Sequence, residues 1–136
     1  MTMPSPLLAS SYVALGGAIG SLLRYQAGRG MTRWLGAQAV TAFPWATLTV
    51  NVVGSLAMGL LAGWLARHGQ GGEQWRLFLG VGVLGGFTTF SAFSLETLSL
   101  ARSGEWLAAA TNIVLSVMVC LAAVWLGYVG AAGLNR

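Results

Sequence analysis

Four apolar stretches, at about residues 7–24, 43–66, 75–101 and 106–134, take up most of the 136-residue chain. A helix needs about 20 apolar residues to cross a hydrocarbon core of ~30 Å, and each stretch reaches or approaches that length. The chain is 56% hydrophobic and carries only seven arginines and three glutamates. A soluble domain of this size would carry charge on about a quarter of its residues, so these few charges do not clothe a soluble surface. The sequence therefore predicts an all-α integral membrane protein: a single domain of four transmembrane helices, with membrane lipid as its solvent. Trp45, Trp64, Trp75, Trp106 and Trp125 fall near the ends of the stretches, where an aromatic belt belongs. No basic residue precedes Arg24, so the first stretch reads as a retained span and not as a secretory signal.

The net charge of +4 is scattered along the chain. No basic block interleaves with aromatics, which argues against a nucleic-acid partner. Arginines on a membrane protein suit anionic lipid headgroups instead. With four spans, Arg67, Arg76 and Arg136 fall on one side of the membrane. Arg29, Arg33 and Arg102 fall on the other, with Arg24 at its edge. That near-balance leaves almost no positive-inside signal, and such a chain can insert both ways and pair antiparallel with a second copy. Cys120 lies in an apolar run and reads as a small buried hydrophobe. His68 has no ligand-spaced neighbour, which argues against a transition-metal site. There is no nucleophile elbow, no phosphate-binding glycine loop and no carboxylate pair within one span. The expectation is no catalytic residue and no enzyme.

Small residues recur at helix-packing spacing: Gly16 and Gly20, Gly59 and Gly63, and Ala109 through Ala123. In lipid, helices associate where small residues let backbones approach, and packing within one chain is the simpler reading. The connection "RYQAGRGMTRWLGAQAVTA" between the first two spans is the longest, with room for a short amphipathic turn.

Polar side chains inside spans are costly and face protein or an aqueous path. Thr47, Asn51 and Ser55 recur every four residues in the second span, and Asn112, Ser116 and Cys120 do so in the fourth. Each set shares one helical face. The two stripes either glue neighbouring helices or wall a narrow path, and the paired asparagines favour the path. The third stretch differs in kind. "GVGVLGGFTTFSAFSLE" (80–96) places Gly85-Gly86 and two threonines where a helix should be strongest. Each glycine costs about 1 kcal/mol relative to alanine, so a break is expected near Gly85–Thr89. Such a break frees carbonyls for a cation and amides for an anion. Phe90 and Phe93, three apart just beyond it, are either packing residues or rings turned edge-on to the path. A ring edge is positive, so it can solvate a small anion without formal charge.

"GGAIGSLLRY" (16–25), "TLTVNVVGSLAMGLL" (47–61) and "GVLGGFTTFSAFSLE" (82–96) resemble the signature stretches of the CrcB/Fluc fluoride channels. The resemblance covers nearly the whole chain. It implies a passive, fluoride-selective channel exporting F⁻ across the cell inner or plasma membrane, giving fluoride resistance. It also implies an antiparallel, dual-topology homodimer with two pores and a structural Na⁺ at the dimer interface. By this resemblance the pore takes Asn51, Phe90, Phe93 and Ser116. Thr89 lines or braces it with Ser91, and Asn112 extends the track where many members carry tyrosine. The Na⁺ falls to backbone carbonyls of Gly85 and Thr88, and Arg24 sits near the aqueous mouth, where it attracts anions. A rival class, small four-span multidrug transporters, depends on a carboxylate in the first span, and this chain has none there. Glu96, near the end of the third span, is expected either as a helix-end anchor or as a vestibule group.

Overall fold

The computed structural model describes residues 4–68 and 72–133. Every element among them is helical. Four helical runs are long and apolar enough to cross a membrane: Pro6–Leu35, Trp45–His68, Glu73–Arg102 and Trp106–Ala132. Leu134, the expected end of the fourth span, and Arg136 lie outside the described residues.

Helix α1 spans Pro6–Leu35. Ser5 caps it by accepting the Leu8 amide at 3.3 Å, and Pro6 occupies the first turn, where no amide partner is missed. It does not stop near residue 24 as hydropathy suggests. Residues 25–35 contain no proline and remain helical, and Gly36 ends the run at φ +86°. Hydropathy marks only the part that touches hydrocarbon, whereas a helix satisfies its own backbone at headgroup depth as well. The long connection is thus mostly helix, completed by the short α2 (Ala37–Ala42) before Pro44 admits α3 (Trp45–His68).

The third span is composite. A short α4 (Glu73–Trp75) leads into a π-helical stretch, Arg76–Leu84, followed by α5 (Gly85–Phe87). Thr88 and Thr89 are extended, at φ −84°, ψ 160° and φ −154°, ψ 121°. Helix α6 (Phe90–Arg102) then starts afresh, capped by the Thr89 hydroxyl, which accepts the Ala92 amide at 3.2 Å. Gly104 takes φ +83° in the tight turn to α7 (Trp106–Ala132).

Glycines decide which helices meet. A Cβ on Gly16 or Gly20 would overlap the carbonyl of Phe78 or Val83, so α1 lies directly against the π-helical stretch. A Cβ on Gly59 or Gly127 would overlap the carbonyl of Val124 or Leu56, so α3 lies as closely against α7. The small-residue pattern therefore serves packing within the chain. Gly85 keeps helical dihedrals, φ −62° and ψ −38°. Gly86 likewise lies in α5, where a Cβ would come within 2.6 Å of the Gly17 carbonyl. Gly86 brings the third span onto α1, and the chain leaves helical geometry only at the threonines.

Burial is inverted relative to a soluble protein. Buried positions include Val50, Ala109 and Ala123 together with Thr47, Asn112 and Ser116, while many Leu, Val, Trp and Met side chains face outward. Lipid offers no hydrophobic drive between helices, so close backbone packing and polar contacts occupy the interior.

Candidate functional site

The two polar stripes meet. Asn51 and Ser55 from α3, Ser116 and Cys120 from α7, and Thr88, Thr89, Phe90 and Phe93 from the third span line one groove of roughly 470 Å³. Its position follows from the extended threonines, which turn the third span so that α6 begins beside α3 and α7.

Asn51 holds that turn in place. Its Oδ1 accepts the Thr89 amide at 2.8 Å, and its Nδ2 donates to the Thr89 carbonyl at 3.0 Å. The side-chain amide therefore pairs with Thr89 as a neighbouring strand would. An asparagine amide carries two N–H donors, so one remains beyond the Thr89 pair. With the Thr89 amide turned to Asn51, the Gly85 carbonyl loses the donor that a continuous helix would supply one turn on. The Thr88 carbonyl accepts no backbone hydrogen bond among the described residues. Thr88 instead points its methyl at Gly54, where a Cβ would overlap it, and its hydroxyl donates to the Leu84 carbonyl at 2.9 Å.

The phenylalanines divide. Phe93 is 9% exposed, whereas Phe90 is 78% exposed. Their ring centroids lie 5.3 Å apart at 44°, a tilted pair. Phe93 forms part of the groove wall, and Phe90 presents its ring outward from the chain at the groove edge.

Asn112 is not a lining residue. It is 1% exposed, donates from Nδ2 to the Thr97 hydroxyl at 2.9 Å, and accepts the Ser116 hydroxyl at 3.3 Å. Thr97 in turn donates to the Phe93 carbonyl at 2.7 Å. Asn112 thus sits behind the groove and orients Ser116, which lines it. Thr47, the first member of the α3 stripe, also turns away, donating to Glu96 Oε1 at 2.8 Å. Glu96 lies mid-way along α6 and is no helix-end anchor, because its carboxylate is tied to α3. Its Oε2 is buried with no partner among the described residues. Thr97 and the Thr47–Glu96 pair escape sequence reading because both contacts join different spans. Their only sequence signal is a polar residue four positions from Phe93 and a carboxylate in a chain nearly without them.

Arg24 stands apart from this groove. It borders a separate shallow trough on α1 with Tyr25, Gly28, Arg29, Thr32 and Arg33. Among the described residues no cluster of three His, Cys, Asp or Glu side chains stands at metal-binding distance. Any cation here would depend on backbone oxygens, which suit hard ions.

The family described as "CrcB-like protein, Camphor Resistance (CrcB)" matches residues 11–128. The chain belongs to the CrcB family. A CrcB relative from Erythrobacter litoralis (strain HTCC2594), named Fluoride-specific ion channel FluC, is 56% identical over 127 residues, covering 93% of each chain. One of the same name from Paramagnetospirillum magneticum (strain ATCC 700264 / AMB-1) is 49% identical over 132 residues, 96% of this chain and all of that one. A third, from Novosphingobium aromaticivorans (strain ATCC 700278 / DSM 12444), is 56% identical over 121 residues, 89% of this chain and 94% of its own. These CrcB relatives match the chain along nearly its whole length, groove included. With its four long apolar helices, this CrcB chain is a multi-pass membrane protein.

Proposed function

We propose that this chain is a fluoride-specific channel that lets F⁻ leave the cell passively across the plasma membrane. The observation that carries the reading is the groove, which brings polar side chains and two phenylalanine rings together between apolar spans without a formal charge. Fluoride is small and strongly hydrated, so a path must replace its water with close donors. The uncommitted N–H of Asn51 and the edges of Phe90 and Phe93 supply such donors, and the Ser116 hydroxyl adds one when it turns from Asn112 to the ion. The first turn of α6 adds the Phe90 and Ser91 amides, which have no partner among the described residues, and the positive end of a helix dipole. A fixed arginine in the path would trap the ion, and conduction needs binding weak enough to release it. A negative-inside potential drives each anion outward with roughly 2.3 kcal/mol per 100 mV, so no reaction or coupled ion is required.

The decisive test is efflux from proteoliposomes under a potassium-diffusion potential. Fluoride should pass rapidly and chloride at least ~100-fold more slowly. A preparation that holds fluoride, or passes both ions alike, removes the proposal.

The pore is read as completed by a second, antiparallel copy. Supporting this are the outward ring of Phe90, which leaves the groove edge open, and the near-absence of charge bias. At the centre of that pair we place a Na⁺ held by the carbonyls of Gly85 and Thr88. The residues fit such an ion: the Asn51–Thr89 pairing takes the helical partner from Gly85, and the Thr88 carbonyl is unpaired. Na⁺ would supply fixed positive charge between copies. The chain's own part is to present the oxygens and hold the turn with Asn51. Tags at both termini test orientation and pairing together. Each tag should be reachable from either side, and pairing should weaken when N-methylglucamine replaces Na⁺. A single orientation overturns the antiparallel pair, and pairing indifferent to Na⁺ overturns the cation.

A further inference from the structure

The C-terminal part of α1 is built unlike the rest of the molecule. Arg24, Arg29 and Arg33 border a trough of about 520 Å³ whose remaining walls are Tyr25, Gly28 and Thr32. A Cβ on Gly28 would meet nothing within 4 Å, so the floor of the trough is open. The Arg29 guanidinium lies 5.8 Å from the centroid of the Tyr25 ring, which gives that long side chain a fixed direction. Among the described residues the only ion pair joins Arg76 to Glu73, so none of the three arginines here faces a carboxylate.

Depth decides what meets them. A 30-residue helix is ~45 Å long, against a hydrocarbon core of ~30 Å. The apolar part of α1 ends near Leu23, so the segment from Arg24 to Leu35 runs at the level of the headgroups. Trp34, 81% exposed, marks the same level, because indole prefers the interface. Cations without protein partners at that depth lie among lipid phosphates. Arg29 and Arg33 are one turn apart on one face, and a guanidinium presents a planar fork that matches phosphate oxygens.

We propose that this trough binds the phosphate of an anionic phospholipid. Arg29 and Arg33 hold the phosphate from one side, Tyr25 steadies Arg29, and Arg24 closes the end nearest the hydrocarbon. The site rests on the chain lying in a membrane and not on which ion it conducts, so its failure would leave the channel reading untouched. It also keeps these arginines on α1 outside the ion path, where their charge does not trap fluoride.

The test uses the full chain in phosphatidylcholine vesicles containing a minor fraction of spin-labelled phosphatidylglycerol. Electron spin resonance reads how strongly the protein selects the anionic lipid at its surface. The Arg29→Gln/Arg33→Gln double variant should lower that preference roughly 25-fold, from about fivefold per arginine near a charged surface. Arg102→Gln removes one exposed arginine outside the trough and should lower the preference by no more than about fivefold, the share of a single surface charge. A single symmetric peak in size-exclusion chromatography serves as the control for folding in both. If the double variant does not fold, Arg29→Lys/Arg33→Lys keeps the charge but not the fork and should retain only part of the selectivity. A double variant that selects phosphatidylglycerol as the parent does, or a lysine pair indistinguishable from it, overturns the site. So does displacement of the labelled lipid by millimolar inorganic phosphate, which would mark a free-anion site instead.

Discussion

Replacing Asn51 with leucine should cut fluoride efflux by about two orders of magnitude. The substitution is near in volume, so packing changes little, but it removes three things together. The Thr89 amide and carbonyl both lose their partner, since each is bonded to this one side chain. Each group left unsatisfied away from water costs about 1–3 kcal/mol. The anion also loses a donor, and a hydrogen bond to a charged group contributes about 1.5–3 kcal/mol, or roughly tenfold to over hundredfold in rate. Set against a typical stability of ~5–15 kcal/mol, the first cost does not unfold the chain outright. It favours re-forming the helix through Thr89, which would return its amide to Gly85 and close the carbonyls that the turn frees. Asn51→Asp separates these effects. It keeps an acceptor for the Thr89 amide but sets oxygen against the Thr89 carbonyl and negative charge against the anion, so flux should fall at least as far. Efflux from proteoliposomes, normalised to folded protein by size-exclusion chromatography, reads both. Rates within threefold of the parent in both variants would show that Asn51 neither holds the turn nor meets the ion.

The Asn51 arrangement also marks how far the sequence could be read. A polar side chain at bilayer depth announces that it has a partner, and its four-residue spacing with Ser55 fixes the face. The meeting of the α3 and α7 stripes in one groove was legible for that reason. The partner itself was not, because Thr89 lies far along the chain and its availability depends on a backbone turn. The same holds for Asn112. Spacing puts it in line with Ser116, but only packing shows that Thr97 draws it behind the groove. Gly85 and Gly86 illustrate the opposite error. Low helix propensity suggested that the glycines themselves would unwind, whereas both stay helical, Gly86 close against α1, and the threonines depart. Propensity is a weak prior wherever a tertiary contact is on offer. Hydropathy failed in a comparable way at α1, since it reports contact with hydrocarbon and says nothing of where a helix stops.

Phe90→Leu should lower fluoride efflux about two- to thirtyfold while leaving assembly and thermal stability near the parental values. The exposure difference between the two rings makes this the cleaner test of ring-edge solvation. Phe93 is a wall of the groove, and truncating a buried phenylalanine to alanine costs about 3–5 kcal/mol of stability, so lost flux there has two explanations. Phe90 is 78% exposed and tilts against Phe93 at 5.3 Å, so leucine in its place keeps an apolar side chain without opening a cavity. What leucine lacks is the quadrupole, with its positive rim. Interactions of that quadrupole with a cation over the ring face run from about 0.5 to 2 kcal/mol, and the edge should offer an anion a similar amount. Phe90→Tyr and Phe90→Trp keep an aromatic rim and should conserve most of the flux, whereas Phe90→Ile should resemble leucine. The pattern across the four substitutions matters more than any one rate. If aliphatic and aromatic replacements conduct alike, the ring acts by size and packing, and the anion must be held by Asn51, Ser116 and the amides of the first turn of α6 alone.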